Sequence, residues 1–444
     1  MGRQQRICYS NSNQTLTSIF IMNAAPTLEK DRIHSLDVLR GFAVLGILLI
    51  NIIGFGLPYA ALMNPGIDVP SGGLTNLAIW LSIELLAEGS MRCLFSILFG
   101  AGVLLFIGEN RPRRGTLHYR RSIWLLGFGL VDAYLLLWFG DVLIFYALTA
   151  FLLFFFRNVG AFKLLLWAGV FFLIVTLVHA GFGWALESAR QMAQSADQNG
   201  ATNTPEMAAA IQAWTEFANG QQPSSTEIAA EMSTRTASYI SAFYWNLGKM
   251  ADMWSIVPIF FLDALAMMLL GMCLFKFGVL QGKLTWRFYS WMIAIGFATG
   301  IGFNSMEINN TLRSEFDILT SFPLAHWTYQ LGRLGLALAY LGTIILIVQS
   351  NSLVFLTRRL AAVGRLALTN YLMQSLICLL LFTGAGLGLL GELDRAQLYP
   401  IVLCIWLIQL WFSSWWLKRY YFGPLEWLWR LLTYGNRPRF SRSS

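Results

Sequence analysis

The sequence predicts an all-α fold: a polytopic membrane helix bundle of about ten transmembrane helices with both termini in the cytoplasm. Two observations carry this. Of 444 residues, 56% are hydrophobic and only 12% charged, about half the roughly 25% of a soluble domain. Apolar runs long enough to cross about 30 Å of hydrocarbon at 1.5 Å per residue also recur along the whole chain. The formal net charge of +8 then reports cytoplasmic loops, and no nucleic-acid partner is expected. The lipid bilayer is the partner that the composition requires.

Taken in order, the spans fall at 38–57, 91–107, 122–138, 141–156, 164–185, 254–277, 288–305, 329–348, 366–389 and 398–417. Only Phe139 and Gly140 join the third to the fourth, which predicts a tight helical hairpin. Lysines and arginines set the orientation. The two tails and the loops 108–121, 157–163, 276–287 and 349–365 carry 23 of them, and the opposite loops carry 5. The richer side is cytoplasmic by the positive-inside rule.

Three regions follow. Residues 1–35 form a polar tail whose apolar island "IFIM" is too short for a signal-peptide core, and "MNAAPTLEKDRIHSLD" from Met22 reads as an alternative start. Residues 36–417 form the bundle, with a polar outer loop at 186–252. Within that loop, 206–219 and 226–247 have helical apolar spacing and are expected on the outer surface or capping the bundle. Residues 418–444 form a basic tail in which Pro424 opens an interfacial helix, with Trp427, Leu428 and Leu431 in the interface and Arg430 near the headgroups. Cys93, Cys273, Cys378 and Cys404 fall in apolar runs, as small buried hydrophobes do, and Cys8 lies in the tail. No disulfide frame, metal-ligand spacing or P-loop is present, so no metal is expected.

The chemistry rests on charges placed where a bilayer makes them costly. In "LDVLRGFAVLGILLINI", Asp37 and Arg40 share a helix face. Asn51 lies on that face three turns, about 16 Å, deeper. Such a face looks into the bundle or a cavity. It holds either a helix-start ion pair with an inter-helix amide, or an arginine that binds an anion. In "IELLAEGSMRCLFSILFGAG", Glu84, Glu88, Arg92 and Ser96 recur every four residues and form one stripe. Glu88 and Arg92 are in the favourable i,i+4 order. They read as a buried ion pair or as a general base beside its counter-ion.

Asp141 opens the fourth span, where an acid complements the helix dipole. Asp132 lies mid-span, either protonated or paired across the bundle, with Arg333 as the partner considered. Asp263 raises the same question. His179 and His326 lie near outer span ends, and His326 and Arg333 share a face two turns apart. In "VGRLALTNYLMQSL", Asn370 and Gln374 share a face that reads as helix–helix hydrogen bonding. Arg365 lies close in depth to Arg40, and two arginines meeting there would bind phosphates bidentately. Gly296, Gly300 and Gly302 permit close helix contacts, within or between chains.

These stretches, with "LFSILFGAG", "GDVLIFYAL" and "GPLEWLWR", resemble in order the YeiB-like family of bacterial inner-membrane proteins, a domain of unknown function, from about Ser35 to Leu432. The opening motif and "FSILFGAG" are also distantly similar to transmembrane acyltransferases of the heparan-α-glucosaminide N-acetyltransferase type. That resemblance implies a bacterial inner-membrane location and a cytoplasmic acyl-CoA as donor. It also implies a small or lipid-linked acceptor at or across the membrane, with Asp37, Arg40 and Arg365 at the donor mouth. Those acyltransferases use a histidine in the loop before the second span. Pro58–Asn76 contains none, and members of the YeiB-like family often have a histidine where this chain has Asp132. The catalytic candidates are therefore Glu88, His326 and Asp132. Asn51, Glu84, Arg92, Asp263, Arg333, Asn370 and Gln374 are expected along the path. The same charges would also serve a transporter or exporter of a small anionic solute, and the outer loop and tail helix a non-enzymatic scaffold.

Overall fold

The computed structural model describes residues 33–108, 114–199, 204–325 and 328–442. Residues 1–32, with Cys8 and the alternative start at Met22, lie outside them, as does His326. The described chain is helical throughout, as expected. Its helices are α1 (His34–Gly56), α2 (Gly73–Leu86), α3 (Ser90–Ile107), α4 (Arg114–Leu130), α5 (Leu143–Phe156), α6 (Ala161–Asn199), α7 (Pro205–Gln221), α8 (Ser225–Ala237) and α9 (Tyr239–Lys276). They continue with α10 (Trp286–Arg313), α11 (Ile318–Ala325), α12 (Tyr329–Gln349), α13 (Val354–Arg365), α14 (Ala367–Phe382), α15 (Arg395–Arg419) and α16 (Pro424–Tyr434).

Helix α1 is the axis of the bundle. It is apolar on nearly every side, as a helix surrounded by protein must be, and it packs against α3, α12, α13, α14 and α15. Helices α10 and α12 pair through small residues. A Cβ at Gly296 or Gly300 would press into α12, whereas Gly302 faces open space. Two of the three small residues singled out therefore serve contacts within the chain. By contrast, α6 carries its apolar side chains outward, among them Phe162, Leu166, Leu173 and Leu177.

Among the described residues, six stretches are long and apolar enough to cross a membrane: His34–Gly56, Gly73–Ile107, Ala161–Ser195, Val257–Lys276, Tyr329–Gln349 and Arg395–Arg419. Helices α13 and α14 together make a seventh, bent by 81°. The difference from ten lies in particular elements. The expected span at 122–138 leaves the α-helical path at Leu130 and continues as a π-helical turn, Val131–Leu135. Helix α5 has 14 residues, about 21 Å and short of the hydrocarbon thickness. The expected span at 366–389 is the second arm of the bent pair, and α10 (288–305) is long but ends in polar residues such as Asn304 and Glu307. The loop 186–252 is mostly helical: α7 lies where the apolar spacing placed it, whereas the expected stretch 226–247 is divided at Ser238 between α8 and the start of α9. Cys93, Cys273 and Cys378 are buried, but Cys404 is exposed on α15, because that helix is peripheral along much of its length.

Candidate functional site

One cavity of about 200 Å³ collects the charges of four separate segments. Asp37 and Arg40 come from the first turns of α1, His118 and Arg121 from α4, Arg365 from the end of α13, and Glu426 and Arg430 from α16. Its remaining walls are mostly apolar, with Phe95, Phe99, Leu125 and Leu143 among them. It lies at the end of the bundle that the lysine and arginine distribution assigns to the cytoplasm.

Local chemistry explains how the segments meet. The Ser35 hydroxyl donates to the Leu280 carbonyl at 2.9 Å and anchors the start of α1. A Cβ on Gly41 would collide with the Leu360 carbonyl, and one on Gly364 with the Asp37 carbonyl. Helices α1 and α13 thus cross backbone against backbone, and Arg40 and Arg365, beside those glycines in sequence, arrive at one cavity. Arg40 also bonds Asp37 at 3.1 Å. That is the helix-start pair expected from the sequence, and it coexists with the cavity.

The tail helix completes the wall. Thr369, buried just past the α13–α14 bend, donates its N–H to Glu426 at 3.0 Å and its hydroxyl at 2.6 Å. The Trp429 ring lies 3.8 Å from the Arg121 guanidinium and its indole N–H bonds the Arg121 carbonyl at 2.9 Å. Arg430 lies over Phe422. Burial pushes the Glu426 carboxyl above its ordinary range, and the hydrogen bonds from Thr369 partly offset this.

A second polar group lies toward the opposite end. Arg333 is almost fully buried and holds Asp263 through both guanidinium arms, with Nη1 2.9 Å from Oδ2. Its Nε donates to Gln330 at 2.9 Å. The pairing of Arg333 with Asp132 is therefore corrected: Asp263 on α9 faces α12, and Asp132 does not. The stripe Glu84–Glu88–Arg92–Ser96 is corrected too. Gly89, at φ 63°, breaks the helix, a conformation glycine adopts without strain, and Glu88 sits at the break. Instead of pairing as helix neighbours, Arg92 donates to the Tyr329 hydroxyl at 3.1 Å and that hydroxyl donates to Glu88 at 3.4 Å. Glu84 is half-buried near Glu88 and Glu307.

The remaining candidates lie elsewhere. Asn370 donates to Ser413 at 3.0 Å and Gln374 to Gln409 at 3.0 Å. These amides stitch α14 to α15, outside the cavity lining. Asn51 is half-buried, and His179 bonds the Val175 carbonyl one turn back at 2.8 Å. Asp141 accepts the Ile144 N–H at 2.9 Å, as a helix-start acid should. Asp132 is fully buried. Arg121, His118, Glu426 and Tyr371, all in the cavity wall, were not singled out from the sequence. Tyr371 lay inside a quoted motif, but nothing in its spacing marked it.

Fold and site together define a class: an integral membrane helix bundle with an arginine-lined cavity at one end. The chain belongs to the YeiB-like family, and the family described as "Protein of unknown function (DUF418)" matches residues 274–436. It is 31% identical over 412 residues to the uncharacterized protein YeiB of Escherichia coli, covering 91% of this chain and 96% of the relative. It is 29% identical over 419 residues to the uncharacterized protein YxaH of Bacillus subtilis, covering 92% and 96%. An uncharacterized 39.9 kDa protein in the amylase 3' region of Bacillus acidopullulyticus is 26% identical over 416 residues, covering 93% and 96%. No solved structure matches.

Proposed function

We propose that this protein is an acyltransferase-like enzyme of a bacterial inner membrane. A cytoplasmic acyl-CoA docks its phosphates among Arg40, Arg121, Arg365 and Arg430, and the acyl group goes to a small or lipid-linked acceptor at or across the membrane. The convergence of four arginines on one cavity with an apolar wall carries the reading. Guanidinium groups bind phosphate oxygens bidentately, and the aromatic and aliphatic wall suits an acyl chain. At about 200 Å³ the cavity is smaller than the roughly 300–1,000 Å³ that encloses a whole drug-sized ligand. It therefore takes the phosphate-bearing part of the donor and leaves the nucleoside at the mouth.

Calorimetric titration of detergent-purified protein with acetyl-CoA and longer acyl-CoAs tests this. A charged hydrogen bond contributes about 1.5–3 kcal/mol, so Arg40→Ala should weaken binding roughly ten- to a hundredfold. Binding that is absent in the wild type, or equal in the variant, refutes the donor site.

The second polar group favours a second reading. Arg333, Asp263, Arg92, Tyr329 and Glu88 lie beyond the cavity toward the other face, where an exporter of a small anionic solute would need polar contacts. Flux of an anion through proteoliposomes without any acyl donor would select that reading over the enzyme.

A further inference from the structure

The phenol of Tyr371 lies in the wall of the arginine cavity. Its hydroxyl donates to Asp141 Oδ1 at 3.2 Å and accepts the Val142 N–H at 3.3 Å. Asp141 in turn lies against the turn that leads into Asp132: a Cβ on Gly129, three residues before Asp132, would meet Asp141 Oδ2 at 2.7 Å, and the two carboxyls are electrostatic neighbours, with Ser375 beside Asp132. Asp132 has no exposed surface, and no N–H or O–H is aimed well enough at either of its oxygens to bond it. Among the described residues neither carboxyl has an ion-pair partner, because Arg333 is spent on Asp263 and Arg40 on Asp37.

Two neighbouring carboxylates buried in the bundle would repel one another with little screening, and each would also lose its hydration. A single proton placed between them removes both costs, because one carboxyl then donates to the other. We propose that Asp132 and Asp141 hold one proton between them and that Tyr371 passes protons between this pair and the arginine cavity. The hydroxyl is suited to this: it already donates to Asp141, and an oxygen with two lone pairs retains one acceptor position beyond the Val142 N–H.

The use of the site in catalysis rests on the acyl-transfer reading. The acceptor's hydroxyl gives its proton to the Tyr371 oxygen while Tyr371's own proton moves to Asp141. The acceptor oxygen bonds the acyl carbon, the thioester carbon–sulfur bond breaks, and coenzyme A leaves as the thiolate. The proton returns through Tyr371 to the thiolate or to water at the mouth, and the pair is reset. The proton site itself does not depend on that reading.

Infrared spectroscopy of the purified full chain at neutral pH tests it without a ligand. The wild type should show a protonated-carboxyl carbonyl band, part of which is lost in Asp132→Asn and in Asp141→Asn. On transfer to heavy water that part should shift quickly, and Tyr371→Phe, which keeps the buried ring, should slow the shift severalfold. No loss of band in either asparagine variant overturns the shared proton. Exchange in Tyr371→Phe as fast as in the wild type overturns the relay. A protein that passes both tests yet binds no acyl-CoA retains the relay and refutes only the acyl-transfer reading.

Discussion

Gly41 of α1 and Gly364 of α13 pass so closely that a Cβ on Gly364 would lie 2.7 Å from the Gly41 nitrogen. Each glycine is adjacent in sequence to an arginine of the cavity. The close crossing is what gives Arg40 and Arg365 a common site, although 325 positions separate them in the chain.

Gly364→Ala should therefore damage structure and binding together. The added methyl meets rigid backbone, and overpacking of this kind costs typically about 1–3 kcal/mol. The expected outcome is a lower thermal midpoint in detergent and weaker acyl-CoA binding. A variant as stable as the wild type would show that the two helices can separate freely.

Breaking the Arg333–Asp263 pair should be among the most damaging single changes in the bundle. Removing one partner leaves a buried charge uncompensated, at a cost of about 3–5 kcal/mol. Asp263→Leu and Arg333→Met should each destabilise strongly, and the double variant that combines them should recover much of the loss. Thermal unfolding of the four proteins closes the cycle. Additive losses would show that the charges are not coupled.

The docking of α16 should depend on pH through Glu426. Burial raises this carboxyl above its ordinary range, so the docked helix holds the proton more tightly than the released one. Docking is then strongest below the ordinary glutamate range and weakens as pH rises through the raised value. Protease accessibility of the tail should increase with pH in the wild type. It should stay flat in Glu426→Gln, and the same pH slope in that variant would remove Glu426 as the cause.

Trp429 holds the tail to Arg121 through its ring face. A cation–π contact contributes about 0.5–2 kcal/mol depending on desolvation, and Trp429→Ala also loses the indole hydrogen bond. The tail should become more accessible to protease, and acyl-CoA binding should weaken because Arg121 loses its support. Trp429→Phe should restore part of both. An unchanged cleavage rate in Trp429→Ala would mean that other contacts hold the helix.

Much of the cavity was legible from short-range signals. The face shared by Asp37 and Arg40 and the matching depth of Arg365 are local properties of a helix and of the positive-inside distribution. Arg121 and His118 carried no such signal, because the sequence placed them in or beside the basic stretch 108–121, whose charges already had an explanation, whereas the structure has them on α4. Arg430 was read as a headgroup contact until the fold of α16 turned it toward the cavity. The stripe from Glu84 to Ser96 misled because four-residue spacing marks one face only while the helix is unbroken, and Gly89 breaks it. Asp132 was flagged as a mid-span acid, either protonated or paired across the bundle. Which acid Arg333 would meet depended on the relative rotation of α9 and α12, which no local pattern reports.

Composition and hydropathy alone determined that this chain is a helical membrane protein, because the bilayer admits few backbone structures and demands long apolar runs to build them. Tertiary structure decided which charges meet: the bend at Leu366, the glycine crossing of α1 and α13 and the docking of α16 assemble the arginine cavity. Those contacts join residues hundreds of positions apart, and their geometry is set by backbone packing that sequence spacing does not encode.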